Sequence, residues 1–408
     1  MSLYTKLAWR NIFRNKRRTY ITGAAIAIGL AALIFLDALY FGMANNMIAS
    51  ATASFTGEGQ IHAQGFLETQ DANKTIAGLD GIEARLAKDP RVKAFTVRTL
   101  SQGMVTSPAN VNPVLLVGVN PGTEKTMSQI DDVITQGAFF SGDDLQNIVI
   151  GSRLAELLEV GLGDRVVVTV SQAGSGELAQ DLFRVSGIYH FNIQDLDGGL
   201  AFVRLPKAQA LLGLDHRANE IALAFKDPRL SQDEADPFWK EYSTDGNEAQ
   251  GWTKLFPALK SIYDLSQFAT LILGVLLFAV VALGIINTLF MSIYERMFEF
   301  GVMRAVGTRP WGIRKLVIQE AGALALLSIA MGVGLAFVLT AIFSRTGIDY
   351  SGVEFAGVTI RNLIYPVMTL RQYILFPLSV LVFTLFVGLY PAAYAARMSV
   401  TGAMKRTL

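Results

Sequence analysis

The chain has 408 residues, of which 51% are hydrophobic, with a formal net charge of +1 and no cysteine. The absence of cysteine excludes disulfides, cysteine-ligated zinc and thiol catalysis. Outside the N-terminus the sequence has no extended basic patch with interleaved aromatic residues, so nucleic acid is not expected as a partner. The apolar residues are distributed unevenly along the chain, which favours a membrane protein over one large soluble core.

The first 18 residues form a basic amphipathic segment. At helical spacing Lys6, Arg10 and Arg14 fall on one stripe, opposite an apolar arc that includes Trp9 and Phe13. This pattern predicts a helix lying in the membrane interface, attracted by anionic lipid headgroups. The same basic flank predicts that the N-terminus is cytoplasmic.

Four apolar runs are long enough to cross a bilayer. Asp37 lies toward the end of the first run, and we expect it at the outer boundary of the membrane, where its carboxylate reaches water. The third run contains small residues such as Gly332 and Gly334, which allow close helix approach. The predicted fold is therefore a membrane protein with four transmembrane α-helices and a large α+β extracytoplasmic domain inserted between helices 1 and 2.

The predicted boundaries follow from these runs and from the charges that flank them. The segments are an interfacial helix (1–18), span 1 (19–43), the extracytoplasmic domain with a stalk (44–265), span 2 (266–293), a cytoplasmic helix and loop (294–315), span 3 (316–344), an outer loop (345–372), span 4 (373–396) and a cytoplasmic tail (397–408).

The polar segment between spans 1 and 2 shows irregularly alternating strand and helix patterns, which indicate an α+β domain. Strand patterns occur at residues 59–64, 94–103, 114–119, 147–150, 165–170, 183–191, 200–204 and 221–225, and helical patterns at 79–88, 152–158 and 206–212. Residues 239–266 are interpreted as the stalk that leads back to the membrane. Asp89 is interpreted as an exposed outer position where charge reversal has no effect.

A short charged segment with helical spacing separates spans 2 and 3, and Gly307 with the Arg309–Pro310 break closes it. On a helical wheel one arc is apolar and the other mixes charged with large apolar side chains. The apolar arc holds Met297, Phe298, Gly301, Val302 and Ala305, and the mixed arc holds Glu295, Arg296, Glu299, Phe300, Met303, Arg304 and Val306. Such a mixture is typical of a docking surface for another protein, or of an interfacial helix that touches only lipid headgroups. We expect the mixed arc to contact a partner and Gly301 to face the membrane spans.

This segment resembles the signature of ABC-transporter permeases of the FtsX/MacB/LolC–LolE family, E-R-x-x-E-[FI]-G-[VI]-[LM]-R-A-[VL]-G. The matching residues are Glu295, Arg296, Glu299, Phe300, Gly301, Val302, Met303, Arg304, Ala305, Val306 and Gly307. The run IVIGSRLAELLEVGLGDRVVVTV resembles part of the family's extracytoplasmic domain. The tail LYPAAYAARMSVTGAMKRTL resembles its terminal motif, with Thr401 where proline is usual.

The resemblance implies a permease subunit that relays the ATP-driven motion of a separate cytoplasmic ABC ATPase dimer to its own periplasmic domain. It implies that ATP and Mg²⁺ bind the partner and that this chain holds no cofactor, metal or catalytic site. Further implied partners are a second permease subunit, membrane lipids, and a lipoprotein or another outer periplasmic protein. The implied location is the bacterial inner membrane, with both termini cytoplasmic. The ATPase-coupling residues implied by the motif are Glu295, Arg296, Glu299, Phe300, Gly301, Met303, Arg304, Val306 and Gly307.

Several functions fit the resemblance. The sequence GQIHAQGF after span 1 favours the LolC/LolE branch, which moves lipoproteins or other amphiphiles. The alternatives are a MacB-like exporter of peptides or small molecules and an FtsX-like regulator of a cell-wall hydrolase. A stand-alone membrane-anchored enzyme or receptor is a third class of function.

The sequence contains none of the catalytic motifs that we searched for. The chain contains no P-loop motif and no G-x-S-x-G elbow, and its histidines are not in H-E-x-x-H spacing. His190 precedes Asp195 and Asp197, and we interpret this group as a strand histidine followed by an acidic turn rather than a metal site.

Overall fold

A computed structural model of the chain describes residues 3–140, 142–349, 354–355, 358–359 and 363–398. The chain divides into two compact units. The first, which we call the helical unit, comprises residues 1–45, 263–349 and 363–408. The second, which we call the mixed unit, comprises residues 46–262 and 350–362.

The helical unit is built from an N-terminal helix, four long apolar helices named M1 to M4, and a short helix between M2 and M3 that we call the junction helix. The bounds are Leu3–Ile12 for the N-terminal helix, followed by a 3-10 turn at Phe13–Asn15, then Lys16–Ala51 for M1, Pro257–Glu295 for M2, Met297–Ala305 for the junction helix, Pro310–Thr346 for M3 and Leu370–Arg397 for M4. M1 to M4 are each long and apolar enough to cross a membrane.

M1 and M2 are longer than a bilayer requires. M2 has 39 residues, which corresponds to about 58 Å at the rise of an α-helix, against about 30 Å of hydrocarbon. M1 runs eight residues beyond the predicted end of span 1 at residue 43, and M2 begins nine residues before the predicted start of span 2 at residue 266. The terminal residues 46–51 of M1 and 257–262 of M2 belong to the mixed unit.

Small residues allow close contacts between the apolar helices. A Cβ added to Gly332 of M3 would lie 2.8 Å from the backbone oxygen of Ala27 in M1. A Cβ added to Gly388 of M4 would lie 3.1 Å from the Cβ of Ala321 in M3. Gly334, by contrast, faces open space, with no atom within 4 Å of an added Cβ. The expected role of small residues in helix approach is therefore confirmed at Gly332 and not at Gly334.

Asp37 of M1 has a partner in the first turn of M4. The side-chain nitrogen of Gln372 donates to its carboxylate at 2.8 Å. Gln372 also completes the N-terminal capping box of M4 with Thr369. This hydrogen bond satisfies part of the polar demand of a half-buried carboxylate in an apolar helix.

Among its described residues the mixed unit contains a ten-stranded sheet and eight short helices. The strands are β1 (Gly59–Ala63), β2 (Val92–Thr106), β3 (Val111–Val119), β4 (Ile134–Gly137), β5 (Asn147–Gly151), β6 (Arg165–Ser171), β7 (Leu178–Tyr189), β8 (Leu200–Arg204), β9 (Glu220–Phe225) and β10 (Asn247–Gly251). The helices are α1 (Phe66–Thr69), α2 (Leu79–Leu86), α3 (Pro121–Met127), α4 (Ser152–Leu158), α5 (Gln194–Gly199), α6 (Leu205–Leu212), α7 (Pro237–Tyr242) and α8 (Trp252–Leu255). A π-helical turn at Thr52–Thr56 follows M1, a 3-10 turn lies at Pro228–Ser231, and two further short strands, Glu354–Phe355 and Val358–Thr359, pair antiparallel.

Six of the strands form a closed ring in which each strand pairs with two neighbours. In the order β2, β3, β8, β5, β7, β6 each pairs with the next, and β6 pairs back to β2. The pairs β3–β8 and β5–β7 are parallel and the other four are antiparallel. The first half of β2 pairs instead with β9, and the sheet continues through β1 to β10.

Alternating side chains of these six strands form one buried apolar cluster. Val105 of β2 lies opposite Val168 of β6, and both are fully buried in one apolar cluster with Ile150 and Phe183. This is the period-2 pattern expected of strands with one buried face. The predicted fold class, four apolar helices with an α+β domain between the first and second, is confirmed.

The stalk interpretation is wrong for residues 239–255. This stretch holds α7, β10 and α8, and β10 pairs along its whole length with β1. Trp239 and Trp252 are buried in the mixed unit. The sequence NEAQG of β10 has no strand pattern of its own, so only its pairing with β1 identifies it as a strand.

The interpretation of Asp89 as an exposed position is also wrong. Its side chain is only 4% exposed and accepts hydrogen bonds from Arg91 at 2.6 Å and from the Tyr242 hydroxyl at 3.1 Å. The hydrogen bonds from Arg91 lower the pKa of Asp89 to about 2. Charge reversal there would place a cation beside Arg91, so we expect it to destabilise the mixed unit.

Candidate functional site at the junction helix

The junction helix is separated from M2 and from M3 by local breaks. Arg296 leaves helical geometry, with φ −113° and ψ 17°, and so ends M2 before the junction helix begins. At the other end the Thr308 amide donates to Met303 at 2.9 Å and the Gly307 amide donates to Arg304 at 3.1 Å. This is the Schellman pattern of helix termination, and it requires the positive φ of 99° that Gly307 adopts.

Arg296 is buried at the centre of a charged cluster. Its side chain is 8% exposed, its Nε donates to Glu299 at 2.9 Å, and its Nη1 donates to Glu320 of M3. Glu320 is equally buried and also accepts from the Asn11 amide at 2.6 Å. A buried charge of this kind is tolerated only when it is paired and hydrogen-bonded.

The N-terminal segment supplies a partner for each carboxylate of the cluster. Asn11, Arg14 and Arg18 follow one another at spacings of three and four residues, which place them on one face of a helical segment. Asn11 contacts Glu320, Arg14 contacts Glu299 at 2.6 Å, and Arg18 contacts Glu295 at 3.1 Å. The N-terminal segment is thereby joined to the junction helix and to the ends of M2 and M3.

These contacts favour the charged forms of the cluster. Partial burial raises the pKa of Glu299, but hydrogen bonds from Arg14 and Arg296 outweigh it, so this pKa lies below its ordinary value. Burial alone would lower the pKa of Arg296, yet Glu320 and Glu299 together raise it. Both shifts favour the charged forms of Glu299 and Arg296.

The apolar side of the junction helix packs against the bundle. Phe300 is 2% exposed, and Met297 and Gly301 are also buried. Met303 packs against the same apolar cluster, which includes Ile313 and Leu316 of M3. Gly301 is on this buried side, so the expectation that a larger side chain there would push the helix off the bundle stays a prediction.

The exposed face of the junction helix is apolar. Phe298, Val302, Ala305 and Val306 are exposed, Val306 to 83%. Trp311, in the first turn of M3, is also largely exposed. Four exposed apolar side chains on one short helix form a small hydrophobic surface suited to a partner.

The helical wheel is wrong about which side chains are presented outward. Arg296 and Phe300, expected on the outward arc, face the interior of the helical unit, and Phe298 and Val302, expected inward, are exposed. Of the other predicted coupling residues, Glu295 and Glu299 bind the N-terminal segment, Met303 and Arg304 are half-buried, and Val306 and Gly307 are exposed. The residues of the predicted site do lie together, but some are buried against the helical unit and others are exposed.

Sequence reasoning missed the residues that complete the cluster, namely Asn11, Arg14, Arg18 and Glu320 as partners of the junction helix. One signal was present for Glu320, because a carboxylate inside an apolar helix is expensive and therefore marks a functional or paired position. The N-terminal residues carried no such signal, since a basic flank is ordinary before a first membrane helix.

The histidine group in the mixed unit forms a structural turn. Nδ1 of His190 lies 2.8 Å from the Ser152 hydroxyl and 3.0 Å from the Asp197 carboxylate, so one ring nitrogen serves both contacts. A serine–histidine–aspartate relay needs both ring nitrogens. Asp197 also accepts from the backbone amides of Phe191 and Asn192, which fixes the turn. Across the described ranges, no group of three or more His, Asp or Glu side chains is arranged to hold a metal ion.

Four apolar helices, a mixed unit inserted between the first two, and an exposed junction helix between M2 and M3 define a multi-pass membrane permease. The family model described as FtsX-like permease C-terminal matches residues 271–400, and the one described as MacB-like periplasmic core domain matches residues 19–235. The chain belongs to this family of FtsX-like and MacB-like ABC-transporter permeases. Membership implies an ATPase partner.

Three relatives show the range of the family. The lipoprotein-releasing system transmembrane protein LolC of Neisseria meningitidis is 23% identical over 74% of this chain and 72% of that protein. The corresponding protein LolE of Haemophilus influenzae is 23% identical over 83% of each chain. The pyoverdine export ATP-binding/permease protein PvdT of Pseudomonas fluorescens strain Pf-5 is 23% identical over 81% of this chain, which spans 51% of that protein.

Proposed function

We propose that this chain is the permease subunit of an ABC transporter complex and relays ATP-driven motion of a partner ATPase to its mixed unit. ATP and Mg²⁺ bind the partner, a cytoplasmic ATPase dimer. A second permease subunit, identical or related, completes the complex. Four helices alone enclose little space, and a symmetric pair of permeases would match a dimeric motor.

The exposed face of the junction helix carries this proposal. It presents Phe298, Val302, Ala305 and Val306 outward, while Arg296 anchors the other side through Glu299 and Glu320. A small apolar surface on a firmly anchored helix transmits force without deforming, because a displacement of the surface moves the anchored groups with it. Glu295, Glu299, Arg304 and Gly307 take part as anchoring and shape-setting residues.

The orientation we propose places both termini and the junction helix in the cytoplasm and the mixed unit outside the inner membrane. Basic residues support it through the positive-inside rule. Lys16, Arg17 and Arg18 precede the apolar part of M1, Arg309 lies directly before M3, and Arg314 lies near the start of M3.

The proposed cargo is a lipoprotein or another amphiphile taken from the membrane or the periplasm. Support comes from the relatives that are named lipoprotein-releasing, at 23% identity. Export of a small molecule is the second candidate, favoured by the similarity to a pyoverdine export protein. Purification of the complex from native membranes, followed by mass spectrometry of bound lipids, lipoproteins and small molecules, distinguishes the two. Recovery of a cell-wall hydrolase instead would favour the regulatory alternative.

The docking surface is tested by placing charge on it. The double variant Val302→Asp/Val306→Asp should lower the amount of ATPase that co-purifies by about tenfold or more, since two carboxylates would be desolvated in an apolar contact. Leu178→Asp, at an exposed apolar position of the mixed unit, is the control and should leave co-purification unchanged. Wild-type recovery of the ATPase with the double variant would contradict the proposal.

The anchoring side is tested by three further variants. Glu299→Lys removes the contacts to Arg14 and Arg296, Arg304→Glu reverses a half-buried charge, and Gly301→Leu displaces the helix from its packing. Each should weaken ATPase binding or uncouple ATP turnover from transport while the protein still inserts into the membrane. Arg153→Glu, at an exposed position of the mixed unit, serves as the control.

A further inference from the structure

The chain leaves M1 through the π-helical turn Thr52–Thr56, in which four of the five backbone oxygens accept hydrogen bonds from neighbouring groups. The Thr52 oxygen accepts from the Gly57 amide at 2.9 Å, and the Ala53 oxygen accepts from the Gln129 amide at 3.0 Å. The Thr56 oxygen accepts from the Gln60 side chain at 2.8 Å. The last carbonyls of a helix lack partners within the helix, and here the mixed unit supplies them.

The Phe55 carbonyl of the same turn accepts from the guanidinium of Arg98. Nη2 of Arg98 lies 2.7 Å from this oxygen, and the guanidinium carbon lies 3.9 Å from the centroid of the Phe55 ring. The same guanidinium makes a two-pronged contact with Glu124 of α3 at 2.6 and 2.9 Å and donates to Glu220 of β9 at 2.8 Å. Arg98, which is fully buried, therefore joins four elements: β2, α3, β9 and the turn that ends M1.

The charges around Arg98 favour a stable connection between the turn and the sheet. Burial raises the pKa of Glu220, but contacts with His62 and Arg98 outweigh this effect and hold it below its ordinary value. Nε2 of His62 lies 3.3 Å from Glu220, and its ring stacks on Phe66. A cation is also favoured at the carboxyl end of a helix, where the backbone dipoles leave partial negative charge.

The turn lies close to the backbone of β9. Gly57 has a φ of 81°, and a Cβ added there would lie 3.0 Å from the backbone oxygen of Leu223 in β9. The Glu58 amide donates to that same oxygen at 2.8 Å. The end of M1 is therefore tied to β9 on one side and to Arg98 on the other.

We propose that Arg98 is the positioning residue that locks the end of M1 to the sheet of the mixed unit, so that a displacement of M1 is passed to β2 and β9. This inference rests on the proposed function, which requires that motion reach the mixed unit. An arginine that only stabilised the sheet would need its carboxylate partners and would not need the Phe55 carbonyl.

The first test measures the connection itself in the full chain. In Arg98→Gln, amide hydrogen exchange at residues 52–58 should accelerate by about tenfold or more, while exchange in β8 stays as in the wild type. Arg153→Gln, an exposed arginine of the same unit, is the matched control. Unchanged exchange at residues 52–58 would overturn the proposal. Arg98→Lys, which keeps the charge but loses the fork, gives the same test if Arg98→Gln fails to fold.

The second test asks whether the connection transmits motion. In the complex purified with its ATPase, Mg-ATP with vanadate should alter hydrogen exchange in the mixed unit of the wild type. Arg98→Gln should lose this response while it keeps the ATPase and hydrolyses ATP within about twofold of the wild-type rate. A response of wild-type size in the variant would overturn the inference.

A disulfide that replaces the Arg98 contact distinguishes a positioning role of Arg98 from a role in stability alone. The Ala53 oxygen and the Gln129 amide are hydrogen-bonded, and the chain has no other cysteine, so Ala53→Cys/Gln129→Cys offers a single disulfide there. Under oxidation this pair should restore the nucleotide response of Arg98→Gln, and reduction should abolish it again. A formed disulfide that restores nothing would overturn the inference. Failure of the wild type to bind any ATPase would refute the proposed function, and the exchange at residues 52–58 would still decide whether Arg98 fixes the end of M1.

Discussion

At the residue level the junction between M2 and M3 depends on Arg296. Arg296→Ala would leave Glu320 buried beside Asn11 without its cation. We expect a loss of about 3–5 kcal/mol in the free energy of unfolding, because an uncompensated buried carboxylate is costly. Denaturant unfolding in detergent micelles measures this loss.

The double variant Arg296→Met/Glu320→Leu is the companion measurement. Replacing both buried charges by apolar side chains of similar volume should recover most of the lost stability. Equal losses in the single and the double variant would show that the pair is not the source of the effect.

Asp89 gives a prediction for pH. Its pKa in the folded protein is about 2, below the ordinary value, so its contribution to stability is complete above about pH 4 and is lost as the pH falls toward 2. The melting temperature of Asp89→Asn should lie below that of the wild type at pH 7, and the gap should narrow between about pH 4 and pH 2. A gap that stays constant down to pH 2 would contradict the assignment.

At the level of elements the junction helix ends where glycine is required. Gly307 has a φ of 99°, and an added Cβ meets no atom within 4 Å, so the cost of a substitution is backbone strain alone. Gly307→Ala should destabilise the helix end by about 1–2 kcal/mol and lower ATPase co-purification with it. Gly334→Ala in M3, which also faces open space but within a helix, should be neutral or slightly stabilising.

Most strands are predicted by their local sequence, and two are identified only by their pairing with other strands. The eight predicted strands all overlap observed strands, since each carries its own apolar pattern. β4 and β10 were missed, because ITQG and NEAQG have no such pattern and are strands only through their partners β7 and β1. The bounds of the junction helix were anticipated because Gly307 and Pro310 act locally.

For the whole molecule, the prediction that remains to be tested is its orientation in the membrane. Cysteines introduced singly at Ala109 in the mixed unit and at Thr308 beside the junction helix should be labelled from opposite sides of the membrane. Both sites are described, Ala109 is exposed, and the chain has no background cysteine. Labelling of both positions by a membrane-impermeant reagent from the same side would contradict the proposed orientation.

The sequence by itself determined the four apolar helices, the inserted α+β domain and the position of the junction helix. Each depends on hydropathy, periodicity or a local breaker such as Pro310, and all of these act over a few residues. The family motif added the ATPase partner, which no local pattern could supply.

Only the tertiary structure decided which side of the junction helix is free. A helical wheel separates faces but does not say which one meets the bundle, and the bundle buried Phe300 and Arg296 while it left Val302 and Val306 exposed. The partners that fix these positions are remote in sequence. Asn11 meets Glu320 across 309 residues, and Arg98 meets Glu220 across 122. Such pairings are set by how the chain closes on itself, because burial makes an unpaired charge costly wherever its partner lies in the sequence.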